Sequence, residues 1–292
     1  MSSINFNSSA NNALQTLRSI NSNLGKTQSH VATGLKIGDA SDGAAYWSIA
    51  TTMKSDNKAL GAATDALGIG AAKVDTAYAA MDSAIDVVNE IKAKLTTASE
   101  TSVDKDQVQL EIKKLQEQLT AIGQAASFNG ENWAVQGSAS STTVVDGFIR
   151  NADGTVKVTT ATFTAGSYAL FNSISSAGVA SGGVLASVMT VKLASNSSQA
   201  NINTFMTNVE KALGELTKGA AALGALSSRI DMQDKYSSKL SDAIDAGVSR
   251  LIDANMEEES ARLSALQTQQ QLAVQSLSIA NNSSQSLLSL FR

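Results

Sequence analysis

Apolar residues recur every seventh position near the start of the chain, at Ala10, Leu17, Leu24 and Val31, with Ala13, Ile20 and Thr27 offset by three. That spacing predicts a helix burying one a/d seam, with Leu14 and Leu35 widening the face. Gly34, Gly38 and the run Asp39-Ala-Ser-Asp-Gly43 then break the pattern. A second helix is predicted where Val74, Met81, Val88 and Leu95 repeat at seven, with Ala77, Ala84 and Ile91 offset by three. After a cap around Ser102, Val108, Ile112, Leu115, Leu119 and Ile122 step by four and three in turn. Lys113 and Glu117 sit at i, i+4 on the wet face of this helix, a pair worth about 0.2–0.5 kcal/mol. Phe128-Asn-Gly130 is predicted to end it.

Helical period disappears between about 131 and 195, where Ser, Thr, Gly and Ala dominate. The tight-turn signal Asn151-Ala-Asp-Gly154 precedes the β-branched, partly alternating segment Thr155 to Phe163. A small β-rich insert is the prediction. Helix resumes near Asn196, where Ile202, Val209, Leu216, Leu223 and Ile230 hold a seven-residue register that returns at Ile244 and Leu251 after a polar Ser237. A last seam runs through Met256, Leu263, Leu266, Ala273, Leu277, Ala280, Leu287 and Phe291. The fold class is mainly α with a small β-rich insert.

Charge changes this picture most at the two ends. Only Arg18 and Lys26 are charged between Met1 and Leu35, and nothing is charged between Arg262 and Arg292. Gln, Ser and Asn interrupt each apolar run, so these faces suit neither lipid nor open water. They fit helices packed on several sides by protein, and repeated copies of the same chain can supply those neighbours.

The 292 residues carry 22 Lys+Arg and 26 Asp+Glu, a net charge of −4, which argues against a nucleic-acid partner. No run of about 18 apolar residues exists, so no membrane span is expected. The N-terminus has neither a basic nor an apolar region, and no cleavable secretory signal is expected. Cysteine and proline are both absent, although ordinary usage would give roughly 15 prolines. Without Cys there is no disulfide, thiolate metal site or Cys nucleophile.

No motif yields a catalytic centre, and neither enzymatic activity nor a cofactor is expected. Gly68-Ile-Gly70 lacks the strand and third glycine of a phosphate loop and reads as small residues allowing close helix approach. The Asp39 to Gly43 run has the wrong spacing for calcium and reads as a capping turn. His30, the sole histidine, reads as a packed structural residue. Glu257-Glu258-Glu259 points to three sides of a helix and reads as a solvated stretch. In 131–195 the only acids are Glu131, Asp146 and Asp153.

Ile4-Asn-Phe-Asn7, the stretch Thr33 to Ala50, Ala126-Ser-Phe-Asn-Gly130 and Leu223 to Ile230 together resemble bacterial flagellin. So does the C-terminus, through Ser249-Arg-Leu-Ile-Asp-Ala-Asn-Met256, Gln271-Leu-Ala and Ser286-Leu-Leu-Ser-Leu-Phe-Arg292. The resemblance covers about 130 residues at the front and about 95 at the back, and the insert matches nothing. It implies that the N- and C-terminal helices pair as an inner coiled-coil domain (1–43 with 249–292). A helical domain (44–130 with 196–248) then surrounds it, and the insert (131–195) faces outward.

The implied function is a structural subunit that polymerises into the extracellular flagellar filament. Export would run through the flagellum's own type III apparatus without a cleaved signal. The implied partners are further copies of the chain, other flagellins as co-subunits, an export chaperone, and the cap and hook-associated proteins. A hook-associated junction protein is the alternative. The expected filament interface is Leu14, Leu17, Ile20, Leu24 and Val31 at the front, and Leu263, Leu266, Leu277, Leu287 and Phe291 at the back.

Two segments that hosts sense in this family depart from its pattern. Ser41 replaces a common Lys and Asp42-Gly43 replaces paired Asp. Val87 and Asn89 stand where Arg is usual, although Glu111 is kept. Losing charge-assisted hydrogen bonds, each worth about 1.5–3 kcal/mol, leads to the expectation of weak recognition by plant and animal flagellin receptors.

Overall fold

The computed structural model describes residues 7–138, 140–175 and 178–290, the last eight of these by backbone only. Helix α1 spans Ser8–Thr33. Its N-cap Asn7 accepts a hydrogen bond from the Ala10 amide, and Gly34 closes its C-terminus at φ 71°, a left-handed position suited to glycine. Helix α2 spans Ala40–Ala98, with the helical path broken at Gly43, whose backbone is extended. Helix α3 spans Lys105–Ala125, and its cap is Asp104 rather than Ser102, because the Asp104 carboxylate accepts from the amides of Asp106 and Gln107.

Two short strands follow, β1 (Ser127–Phe128) and β2 (Glu131–Asn132), paired antiparallel. Asn129 and Gly130 turn between them at φ 50° and 83°, the two positive values a tight hairpin turn needs. Strands β3 (Thr142–Arg150) and β4 (Val156–Phe163) form a longer hairpin, from Thr142 opposite Phe163 to Arg150 opposite Val156. The register shifts between Val145 and Gly147. The expected turn is in place, with the Asn151 amide donating to the Thr155 carbonyl and the Gly154 amide to that of Asn151. Helix α4 (Ala165–Tyr168), strands β5 (Ser173–Ile174) and β6 (Ala180–Ser181), and helix α5 (Ala186–Met189) complete the insert. Helix α6 runs over Gln199–Ile252 and α7 over Met256–Leu290.

The chain divides into two compact units, Met1–Asn57 with Asp242–Arg292, and Lys58–Ser241. The family resemblance implied boundaries at 43/44 and 248/249 instead. In the Lys58–Ser241 unit, the predicted seams meet: Val74, Val88, Ile91 and Leu95 of α2, Ile112 and Leu119 of α3, and Ile202, Val209, Leu216 and Leu223 of α6 are fully buried in one core. The insert shares it, through Val144, Phe163, Leu170, Phe171, Leu185 and Val188. Gln116 is buried at the edge of this core, and its amide donates to the carbonyls of Val188 and Val191 at 2.9 and 3.1 Å. Those bonds offset the cost of burying an amide.

Gly70 does allow a close approach, but of strand β3 and not of another helix, since a Cβ there would fall 2.0 Å from Val144 Cγ1. Gly68 has open space around it and Ile69 is exposed. Within α3 Glu117 pairs with Lys114 at 2.8 Å, one residue closer in sequence than the Lys113 the spacing predicted, and the pair holds the Glu117 carboxyl below its ordinary value.

Candidate functional site

The Met1–Asn57 and Asp242–Arg292 unit holds the candidate surface. Its base is a small core of Ile37, Ala50, Val248 and Ile252, with Leu35, Met53, Ile244 and Leu251 packed against it. Above it the chain segments between helices are joined by backbone. Lys36 N–H and Ile37 N–H donate to the Ile252 carbonyl at 2.7 and 3.2 Å, and Ala254 N–H donates to Gly34 at 2.9 Å. Leu35 and Asp253 form an antiparallel bridge there. The Asp39 to Gly43 run is the capping turn expected. Asp42 Oδ2 accepts from the amides of Gly38 and Asp39, while the Ser41 hydroxyl and amide donate to Asp39 and hold its carboxyl below the ordinary range.

From this base α1 and α7 run side by side as an antiparallel pair, and the predicted seams turn toward each other within one chain. Leu24 and Leu266 are buried, while Leu14, Leu17, Ile20, Val31, Leu263 and Leu277 are half-buried. Leu287 lies among the residues described by backbone only, and Phe291 lies outside the described residues. Three polar rungs cross the pair: Asn7 Nδ2 donates to the Ala280 carbonyl at 3.0 Å, Gln270 Nε2 donates to Asn21 Oδ1 at 2.8 Å, and His30 Nδ1 lies 3.5 Å from Glu259 Oε1. The last rung corrects the reading of the acidic run. Glu257 and Glu258 are solvated, but Glu259 is 6% exposed and faces His30 and Arg262. All three acids also lie in the first turn of α7, where the helix dipole favours negative charge.

Several side-chain hydroxyls on the two helices are spent locally. Thr16 donates to the Asn12 carbonyl, Thr33 to Ser29, Ser264 to Ser260 and Thr268 to Ser264, each to the turn before. Around its exposed sides α7 carries Leu272, Val274 and Ile279, which are 60%, 53% and 64% exposed. An open groove of about 440 Å³ lies between the helices, lined by Ala13, Thr16, Ile20, Leu272, Ala273 and Ser276 among others. A groove with this lining can accept an apolar helix face but offers no ionised group to a small polar ligand. Among the described residues, no three His, Cys, Asp or Glu side chains converge on a cation-sized site. No described helix is long and apolar enough to cross a membrane.

The segments expected to bear on host recognition fall in two places. Ser41 and Asp42 are exposed in the capping turn, and Gly43 is half-buried, where a Cβ would meet Ile37 Cδ1 at 3.4 Å. On α2, Asn89 is exposed, whereas Val87 is 6% exposed and packs in the core. Its neighbour Val88 marks the seam, and the wider face that also takes in Val87 was the signal that the spacing offered. Glu111 is exposed and pairs with Lys94 at 2.7 Å, which raises the Lys94 ammonium above its usual value.

Comparison with known proteins matches the family model for the bacterial flagellin N-terminal helical region over residues 4–138, and that for the C-terminal helical region over 206–291. Between them lies the segment containing the β3–β4 hairpin. The chain is 45% identical to Flagellin C and 41% identical to Flagellin A of Rhizobium meliloti strain 1021, covering all of each chain. It is 46% identical to Flagellin of Brucella melitensis biotype 1, again over the whole of both chains.

Proposed function

Because the chain belongs to the bacterial flagellin family, we infer that α1 and α7 polymerise it by burying their remaining apolar faces against further copies. The protein is a structural subunit of the flagellar filament, the extracellular fibre of swimming motility. One observation carries the mechanism. Leu272 in the groove between α1 and α7, and Val274 and Ile279 on other sides of α7, stay open to solvent on a helix with no charge beyond Arg262, apolar surface that a single chain does not cover. Burying such side chains contributes about 1.5–3 kcal/mol each, enough to order helices that a lone chain holds weakly.

The residues named from the sequence take a divided role. Leu14, Leu17, Ile20, Leu24, Val31, Leu263, Leu266 and Leu277 close the α1–α7 seam, which presents the outward faces to neighbouring copies. Export proceeds through the flagellum's own type III apparatus as a largely unfolded chain. The lack of Cys supports that route, since no bridge can form early, and the lack of Pro supports unbroken helices and removes slow isomerisation. An export chaperone, the cap and hook-associated proteins are the partners this route calls for, with other flagellins as candidate co-subunits. Weak host-receptor recognition rests on Ser41, Asp42, Gly43 and Asn89, without Val87.

The experiment is regrowth: depolymerise the cell-surface fibre by mild heat, reseed the monomer and look for filaments by electron microscopy. Leu17→Asp or Leu277→Asp should abolish growth while the α2–α3–α6 core keeps its melting transition. Normal filaments from either variant would sink the reading.

A further inference from the structure

Four places in the chain put glycine directly after Asn or Asp: Asp42-Gly43, Asn129-Gly130, Asp146-Gly147 and Asp153-Gly154. In such a pair the glycine nitrogen, with no Cβ beside it, can approach the preceding side-chain carbonyl carbon, so local structure decides which pair reacts. Three of the four are held. Asp42 Oδ2 accepts from the amides of Gly38 and Asp39. Asp146 is paired with Arg229, and Gly147 is buried. Asp153 Oδ1 accepts from the amide and the hydroxyl of Thr155, while Gly154 N–H donates to the Asn151 carbonyl. Asn129 and Gly130 differ on every count. Both are exposed in the turn of the β1–β2 hairpin, and a Cβ on Gly130 would meet open space. Among the described residues, neither the Asn129 carboxamide nor the Gly130 amide has a hydrogen-bond partner.

We propose that Asn129 is a self-modification site, converted by its own backbone to isoaspartate and aspartate, and that the isoaspartyl form loosens the β1–β2 hairpin from the end of α3. The Gly130 nitrogen forms a bond to Asn129 Cγ and closes a cyclic imide. The Cγ–Nδ2 bond breaks, and Nδ2 leaves as ammonia with the proton that Gly130 N–H gives up. Water then opens the ring. Attack at Cγ leaves aspartate, and attack at the backbone carbonyl leaves isoaspartate, whose main chain runs through Cβ and Cγ and is longer by a methylene. The β1–β2 ladder has only two residue pairs, Ser127 with Asn132 and Phe128 with Glu131, so it has no long register to resist that insertion. Asn132 is the residue displaced. Its Nδ2 donates to the Gly123 carbonyl of α3 at 2.7 Å, and its Oδ1 accepts from the amides of Ala134 and Val135 at 2.9 and 3.0 Å. Those bonds fasten the start of the insert to α3, with Trp133 buried between them. Conversion also adds a carboxylate two residues from Glu131, which already holds Lys73 at 2.8 Å.

Storage of the full-length soluble chain in mildly alkaline buffer, followed by peptide mass spectrometry, tests this. The peptide holding Asn129 should gain about one mass unit and separate into two products of equal mass, isoaspartyl and aspartyl. It should do so at a rate within about tenfold of that in the urea-denatured chain, because the hairpin turn ties down neither reacting group. Peptides holding Asp42, Asp146 and Asp153 should stay single in the folded chain over the same time. In the converted chain, hydrogen exchange over 127–136 should quicken on the order of tenfold. Asn129→Gly removes the carboxamide and keeps a residue that adopts positive φ freely, so the same storage should produce neither change. The proposal is overturned by an unchanged mass at Asn129, or by conversion more than about tenfold slower folded than denatured. Equal conversion at the three Asp-Gly pairs overturns it too, as does exchange over 127–136 that is the same before and after conversion.

Discussion

In the α2–α3–α6 core the heptad positions Val74, Leu95, Leu119, Val209 and Leu216 lose all exposed surface, whereas Leu14, Leu17, Ile20 and Leu277 of the α1–α7 pair keep part of theirs. Both regions follow the same seven-residue rule. The difference is the number of neighbours. Three helices and the insert surround the first seam and supply Phe163, Phe171 and Leu185 to it, while two helices alone can cover only one side of each other. The core also places its charges on the outside as ion pairs, Lys92 with Glu210 and Lys94 with Glu111. The outer part of the terminal pair has almost no charges to place. A seam repeat therefore specifies which face is buried, and the composition of the opposite face tells whether the chain itself completes the burial.

The sharpest way to break this comparison is a charge in each seam. Leu216→Asp should cost the core about 4–5 kcal/mol and remove the main thermal transition, because a carboxylate would sit where no water reaches. At exposed apolar positions of the pair, Leu272→Asp or Ile279→Asp should shift monomer stability by no more than about 0.5 kcal/mol and yet stop filament growth, read by calorimetry and electron microscopy. A fall in monomer melting temperature as large as that of Leu216→Asp would erase the distinction.

Gly70→Ala probes close packing in the core, since the new methyl would run into Val144. It should destabilise by about 1–3 kcal/mol in denaturant titrations, and Val144→Ala in the same chain should relieve most of that. The smallest effect is electrostatic. The Lys73 ammonium, 2.8 Å away, holds the exposed Glu131 carboxyl below its ordinary value. A lowered carboxyl contributes stability that is present above its unfolded value and lost as pH falls through the folded one. Glu131→Gln should therefore flatten the acid end of the melting-temperature profile slightly and leave neutral pH alone.

The seams of α1, α3, α6 and the later part of α2 were legible in the sequence through their apolar period, but Leu60 and Leu67, buried earlier on α2, were not singled out, and Met256, read as part of the α7 seam, is 43% exposed. Strand β4 was legible too, through its β-branched run after Asn151 to Gly154. Strand β3 was not singled out, since Thr142 to Arg150 carries Asp146 and Gly147 at a bulge that breaks alternation. The β1–β2 hairpin read only as a helix stop, although Asn129-Gly130 is a turn signal in its own right. Glu259 escaped because three acids in a row look wet. Its burial depends on His30, 229 positions earlier, being brought alongside by the antiparallel pairing. Val87 escaped for the opposite reason, since a position beside the seam was read from a family's surface and not from the width of the buried face.

The hydroxyls of Thr16, Thr33, Ser264 and Thr268 already give their protons to their own helices. Such a side chain can be dehydrated without stranding a donor, so it behaves toward an arriving subunit much as a methyl-bearing residue would. A fibre built from these faces can combine a monomer that dissolves with joints that dry out on assembly, and solubility before polymerisation need not be bought with ions that would repel afterward.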